Sequence, residues 1–218
     1  GPFLLAQLIE QGQSIPDFPD SILVQQDGRL IRCTLRANLP PSWENALPAG
    51  CPQPLLALTE ALGNKTTNLL AEKLGVQTAD QEANALALGR SATMTPLEMG
   101  LAAAAISNAG TSPAAQIALA VNTPEQGWVI LPSNAQAKTL FSAESAAAVA
   151  QLLQAGDKPY WESMGRLDQK ESPLVWYIGG TLPGWQGTPL SIVIVVESDD
   201  PELAQEMGRE ILEAAIQP

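Results

Sequence analysis

Apolar positions change their period several times along the chain, and each change marks an element. Phe3 to Glu10 is a short, mostly apolar stretch that predicts a helix ending near Gly12. Two prolines keep Ile15 to Asp20 extended. Ser21 to Gln26, then Asp27-Gly28, then Arg29 to Cys33 has the form of a hairpin, with Asp-Gly supplying the positive φ of a tight turn. From Pro54 the period lengthens: Leu55, Leu58 and Leu62 share one helical face up to a stop at Gly63. A second helix carries Leu69, Leu70 and Leu74 to Gly75. Thr95-Pro96-Leu97-Glu98 is a capping box with proline at the first helical position, and its alanine-rich helix ends at Asn108-Ala109-Gly110.

Gln116 to Val121 and Trp128 to Leu131 predict strands around a turn, and Ser142 caps an alanine-rich helix to about Gln154. Leu174 to Ile178 and Leu190 to Glu197 are the strongest strand patterns. Their near-continuous apolar character predicts burial on both faces. Asp200 caps a last helix, Pro201 to Ile216, with Leu203, Met207 and Ile211 along one stripe. The pattern therefore predicts an α+β chain: a mostly antiparallel sheet of about five strands flanked by helices, with a helical subregion at about 54–107. With 218 residues there is room for one large domain or two small ones.

Composition narrows the chemistry. The formal charge is −12, from 11 basic and 23 acidic residues, and no basic run reverses it, which argues against nucleic acid as a partner. There is no histidine, which removes imidazole general bases, Ser-His-Asp and Cys-His arrangements, and the common His-ligated zinc sites. Two cysteines are too few for an all-thiolate zinc site, so neither metal nor cofactor is expected. The longest strongly apolar run, Ile192 to Val196, is far short of the ~20 residues that span a bilayer. Any membrane anchor is expected before residue 1.

The order of segments carries a resemblance. Leu88-Gly89-Arg90, Thr95-Pro96-Leu97-Glu98-Met99, Ile106-Ser107-Asn108-Ala109-Gly110 with Pro113, and then Val175-Trp176-Tyr177-Ile178-Gly179-Gly180 before Ile192 to Glu197 occur in this order. The sequence thereby resembles the transpeptidase domain of penicillin-binding proteins, the β-lactamase-like serine acyltransferases that cross-link peptidoglycan. The resemblance implies one domain spanning 1–218 and three catalytic motifs. They are a Ser-x-x-Lys pair of nucleophile and amine base, a Ser-x-Asn facing it, and a Lys-Thr/Ser-Gly edge strand that binds the substrate carboxylate.

This sequence departs from that pattern. No serine here has lysine three positions later or asparagine two later, and no Lys-Thr/Ser-Gly occurs. The resemblance puts the Ser-x-Asn slot on Gly50-Cys51-Pro52 and the Lys-Thr/Ser-Gly slot near Arg166-Leu167-Asp168, with Ser-x-x-Lys at or before residue 1. Arg166 would attract a carboxylate, whereas Asp168 would repel one and replaces the glycine that lets substrate approach. No catalytic residue is therefore assigned. Cys33 and Cys51 lie near each other in the family's pattern and are expected either as a disulfide, suiting an oxidising envelope compartment, or as two buried thiols.

Trp128 and Trp176 sit in strand patterns and read as core. Trp185 lies in a Gly/Pro loop and is the one candidate for an exposed contact, while Tyr160-Trp161 would cover the former cleft. Asp199-Asp200 and Glu202, Glu206, Glu210 and Glu213 read as a cap and a solvated helix face. The expectation is an extracytoplasmic, membrane-anchored pseudoenzyme of the bacterial envelope that binds envelope proteins or peptidoglycan-related ligands. The rival is an active D,D-transpeptidase whose nucleophile lies upstream of residue 1.

Overall fold

The computed structural model describes all residues except 27–28, 38–39, 79–81, 90–91, 117, 133–135, 168–172 and 218. The chain opens with helix α1 (Pro2–Glu10), a short ribbon of β1 (Val24–Gln26) and β2 (Arg29–Ile31), and one helical turn, α2 (Trp43–Ala46). Then come α3 (Pro52–Leu74), β3 (Gln77–Thr78), α4 (Ala83–Ala87), β4 (Ala92–Thr93) and α5 (Pro96–Ser107). Short strands β5 (Thr111–Ser112), β6 (Ala120–Thr123), β7 (Gly127–Ile130) and β8 (Lys138–Thr139) lead to α6 (Ala143–Leu152). The last part is β9 (Tyr160–Leu167), β10 (Leu174–Thr181), β11 (Ser191–Glu197) and α7 (Pro201–Ile216).

The caps act as the sequence predicts. Thr95 Oγ1 accepts from the Glu98 amide while Glu98 Oε2 accepts from the Thr95 amide, which satisfies two N-terminal groups of α5. Ser142 and Asp200 cap α6 and α7. α3 is two helices joined across a kink at Gly63, whose φ of 74° and ψ of 159° leave the helical region where the sequence places the stop, and the second helix runs on to Gly75. At the other end of α1, Glu10 accepts from the Ser142 amide and from the Ser145 hydroxyl, tying two helices 132 residues apart. The Ser142 amide and hydroxyl hold the Glu10 carboxyl below its ordinary range.

Among the described residues the main sheet is antiparallel, has three strands and runs β11-β10-β9. The expected five strands are not found in one sheet. The hairpin strands 24–26 and 29–31 pair only with each other, and the chain after β2 is taken up elsewhere: the Thr34 and Leu35 amides donate to the carbonyls of Gly50 and Ala49. The turn at Asp27-Gly28 lies outside the described residues.

Alternation along β10, the central strand, sends Val175 and Tyr177 to one face and Trp176 and Ile178 to the other. The first face packs on α7 through Ala204 and Leu212, and the second meets the cluster built by α1, α3, α5 and α6. β11 is the outer strand, and Ile192 to Val196 are only half-buried, so the expectation of two-sided burial holds for β10 and not for β11.

Two apolar patterns face water instead of the core. Leu203, Met207 and Ile211 on α7 are exposed, because the face that touches the sheet is the line Ala204, Gly208 and Leu212, two of its three residues small. Trp128 is 73% exposed, on the β6–β7 hairpin, where Val121 and Ile130 are exposed too. Its alternation describes a strand, but among the described residues nothing covers the face it occupies.

Candidate functional site

A half-open cleft of about 800 Å³ lies between the helical region and the edge strand β9. Its wall includes Gly1, Phe3, Arg32, Cys33, Gly50, Pro52, Leu70, Met94, Ser163 to Leu167, Trp176 and Ile178. The fold thus brings together what the sequence only aligned. Gly50 and Pro52 from one expected slot, Arg166 and Leu167 from the other, and Gly1, the last position the Ser-x-x-Lys slot can reach, face one space. Cys51 is fully buried at the start of α3, and Asp168 lies outside the described residues.

Local geometry closes part of this site. In an edge strand, alternate amides point away from the sheet and remain available to a ligand. On β9, the Glu162 amide donates to the Leu153 carbonyl and the Met164 amide to the Pro48 carbonyl, so the chain itself occupies that edge. Segment 47–50 therefore lies against the strand. Gly50 makes this contact possible: it adopts a φ of 65°, and a Cβ there would come 2.5 Å from the Met164 carbonyl oxygen and 2.7 Å from Thr34 Oγ1. Serine, the family's choice in the Ser-x-Asn slot, would not fit at Gly50 without moving β9 or the loop.

The same loop is pinned covalently. Cys33 and Cys51 are joined, with S–S 2.04 Å across 18 positions. Closing a loop of that length stabilises the fold by about 3 kcal/mol in the chain-entropy account. A Cys33→Ser/Cys51→Ser variant is expected to lose about that much in urea unfolding. Thiol titration of denatured, unreduced protein should find no free thiol, and two would overturn the pairing.

The chemistry of the wall is limited. Among the described residues it contains no lysine, carboxylate or tyrosine side chain; the one amine on the wall is that of Gly1, which burial lowers to about 5. The Ser163 hydroxyl is buried and lies 3.5 Å from the Leu47 carbonyl, to which it donates. Arg166, at the rim, pairs with Asp199 at 3.3 Å. Sequence reasoning passed over Ser163-Met164-Gly165, three positions before the expected slot; its signal was the glycine in third place, as in Lys-Thr/Ser-Gly.

The expected cover is absent. Tyr160 and Trp161 belong to β9 itself, are buried on opposite faces, and neither lines the cleft. Trp176 does line it, while Trp185 is partly buried with its indole against Gly187. Apart from the Gly1 amine, the strongly perturbed groups lie on the other face of the sheet. There Glu162 accepts from Arg209 and Gln205, and burial with the Glu213 carboxylate pushes the Tyr160 hydroxyl up to about 12. That cluster docks α7 and does not touch the cleft.

No protein-family model matches the chain, and no curated protein sequence does. Its fold, however, is that of solved penicillin-binding-protein transpeptidases. Penicillin-binding protein 3 from Mycobacterium tuberculosis, solved with aztreonam, superposes with a TM-score of 0.76 at 16% identity over 100% of this chain. The D,D-transpeptidase domain of a peptidoglycan glycosyltransferase from Eggerthella lenta gives 0.74 at 16% identity over 98% of the chain. A peptidoglycan synthetase from Bifidobacterium adolescentis gives 0.64 at 13% over 100%. The chain spans 62%, 64% and 48% of those three solved chains, respectively.

Proposed function

We propose that this chain is a non-acylating form of the penicillin-binding-protein transpeptidase fold, placed outside the cytoplasm in the bacterial envelope and serving as a binding or scaffolding module. The observation that carries the reading is the cleft wall. The residues of the expected motif slots face one space, yet its described wall offers no lysine, carboxylate or tyrosine side chain to serve as base. Acylation needs an activated nucleophile, a base within hydrogen-bond reach and donors for the developing oxyanion. At the Ser-x-Asn slot Gly50 and Pro52 bring neither hydroxyl nor carboxamide, and the Cys51 thiol is consumed in the disulfide. The self-occupied edge of β9 adds support, since a peptide substrate would compete with Pro48 for the Met164 amide.

Incubation with a fluorescent penicillin and a denaturing gel tests this. The chain is expected to carry no label under conditions that label an active transpeptidase fully. A labelled band from this chain would overturn the proposal. A label only on a longer native chain would assign D,D-transpeptidase activity to a nucleophile before Gly1, and would favour that reading over the scaffold.

A further inference from the structure

The charge of the cleft opposes the charge of the chain. The protein carries 23 acidic and 11 basic residues, yet the described wall holds two arginines, Arg32 and Arg166, and no carboxylate. Arg166 shares its charge with Asp199, whereas Arg32 is exposed on the segment that follows β2. Beneath this rim the wall is apolar. Phe3, Leu70 and Ile178 are buried, and Met94, Met99 and Trp176 are partly so.

Two of the wall's hydroxyls are already committed. The Thr67 hydroxyl donates to the Gly63 carbonyl within α3, and the Ser163 hydroxyl donates to Leu47. Against the apolar part of the wall the amides of a polar peptide would be left unmatched, a costly outcome. An apolar chain loses nothing by entering it, and a volume near 800 Å³ is within the range of small-molecule sites.

We propose that the cleft binds an anionic amphipath, a long-chain carboxylate whose tail lies against Phe3, Leu70 and Trp176 and whose head group meets Arg32. This deepens the function proposed above and rests on it in one respect: the cleft is free for reversible binding because it is not used for acylation.

The test is a fluorescence titration of the intact chain with dansylaminoundecanoic acid, followed by displacement with hexadecanoate, tetradecanoate and dodecanoate. Saturable binding is expected, weakening roughly fourfold for each methylene removed. Hexadecanol, which lacks the charge, should displace the probe at least about tenfold less well. Arg32→Glu, at an exposed position, should weaken hexadecanoate about tenfold without changing the melting temperature. Leu30→Asp is the second variant; this residue is 51% exposed on the same wall, and a carboxylate there should weaken binding to a similar extent. No saturable binding, equal displacement by acid and alcohol, or tighter binding of N-acetyl-trialanine would each overturn the inference. A penicillin gel run in parallel separates the two failures. A labelled band defeats the function proposed above, whereas an unlabelled chain that binds no amphipath defeats the inference alone.

Discussion

Valine in place of Gly208 is expected to lower the stability of the fold by about 4 kcal/mol, beyond the range of ordinary overpacking because a second interaction is lost with it. α7 crosses the sheet with Gly208 directly over the Tyr177 ring, and a Cβ built there would lie 2.2 Å from the ring's Cε1. No side-chain rotation of Tyr177 relieves this easily. The ring is fully buried between α7 and the sheet, with its hydroxyl in the low-dielectric interior beside the Glu162 carboxylate. The helix would have to rise from the sheet instead.

Raising α7 also pulls Arg209 away from Glu162, a carboxylate 5% exposed that accepts from both the Nε and Nη2 of that arginine. Gln205 donates to Glu162 from the same helix, at 2.9 Å, and would move with it. Urea unfolding of Gly208→Val, with Gly208→Ala as an intermediate step, measures the effect. A Gly208→Val/Tyr177→Leu double variant should recover part of the loss, because it removes the ring that collides. A loss below about 1 kcal/mol for valine would mean that α7 does not sit on Tyr177 in this way.

The same helix shows where the sequence is informative and where it is silent. Its start was legible in Asp200, its length in the run to Ile216, and its neighbour in the strand just before it. Its packing face was not, because hydrophobicity points to Leu203, Met207 and Ile211 while shape selects Ala204 and Gly208. A small-residue line is invisible to a periodicity argument, which weighs side chains by their dislike of water and not by how closely they let two backbones approach. β9 was obscure for a related reason. Its Tyr-Trp-Glu-Ser-Met-Gly run places a carboxylate at an inward position, and the cation that balances Glu162 comes from 47 residues further on.

The cleft was legible as an order of segments. Gly50, Pro52, Arg166 and Leu167, which the resemblance put in two separate slots, lie on one wall. What no spacing could reveal is the backbone bond from the Met164 amide to the Pro48 carbonyl, because main-chain pairing between a loop and a distant strand leaves almost no mark on residue choice. Gly50 is its one trace.

Trp161→Ala is expected to lower stability by about 4–5 kcal/mol and to leave the cleft unchanged. The indole is fully buried in the helical core, and its Nε1–H donates to the Ser107 hydroxyl at 3.0 Å. Alanine would leave a cavity of nearly the whole ring and remove the indole donor from Ser107, so the cavity and hydrogen-bond losses act together. Trp161→Phe separates them: most of the packing stays, and the difference from wild type should fall to about 2 kcal/mol. Ser107→Ala combined with Trp161→Phe should show a coupling of about 1 kcal/mol, the worth of one neutral hydrogen bond. If Trp161 instead covered the cleft, as its position before the expected slot suggested, Trp161→Ala would cost little in unfolding and would change ligand binding. A loss below about 2 kcal/mol together with altered amphipath affinity would therefore place the indole over the cleft and not in the core.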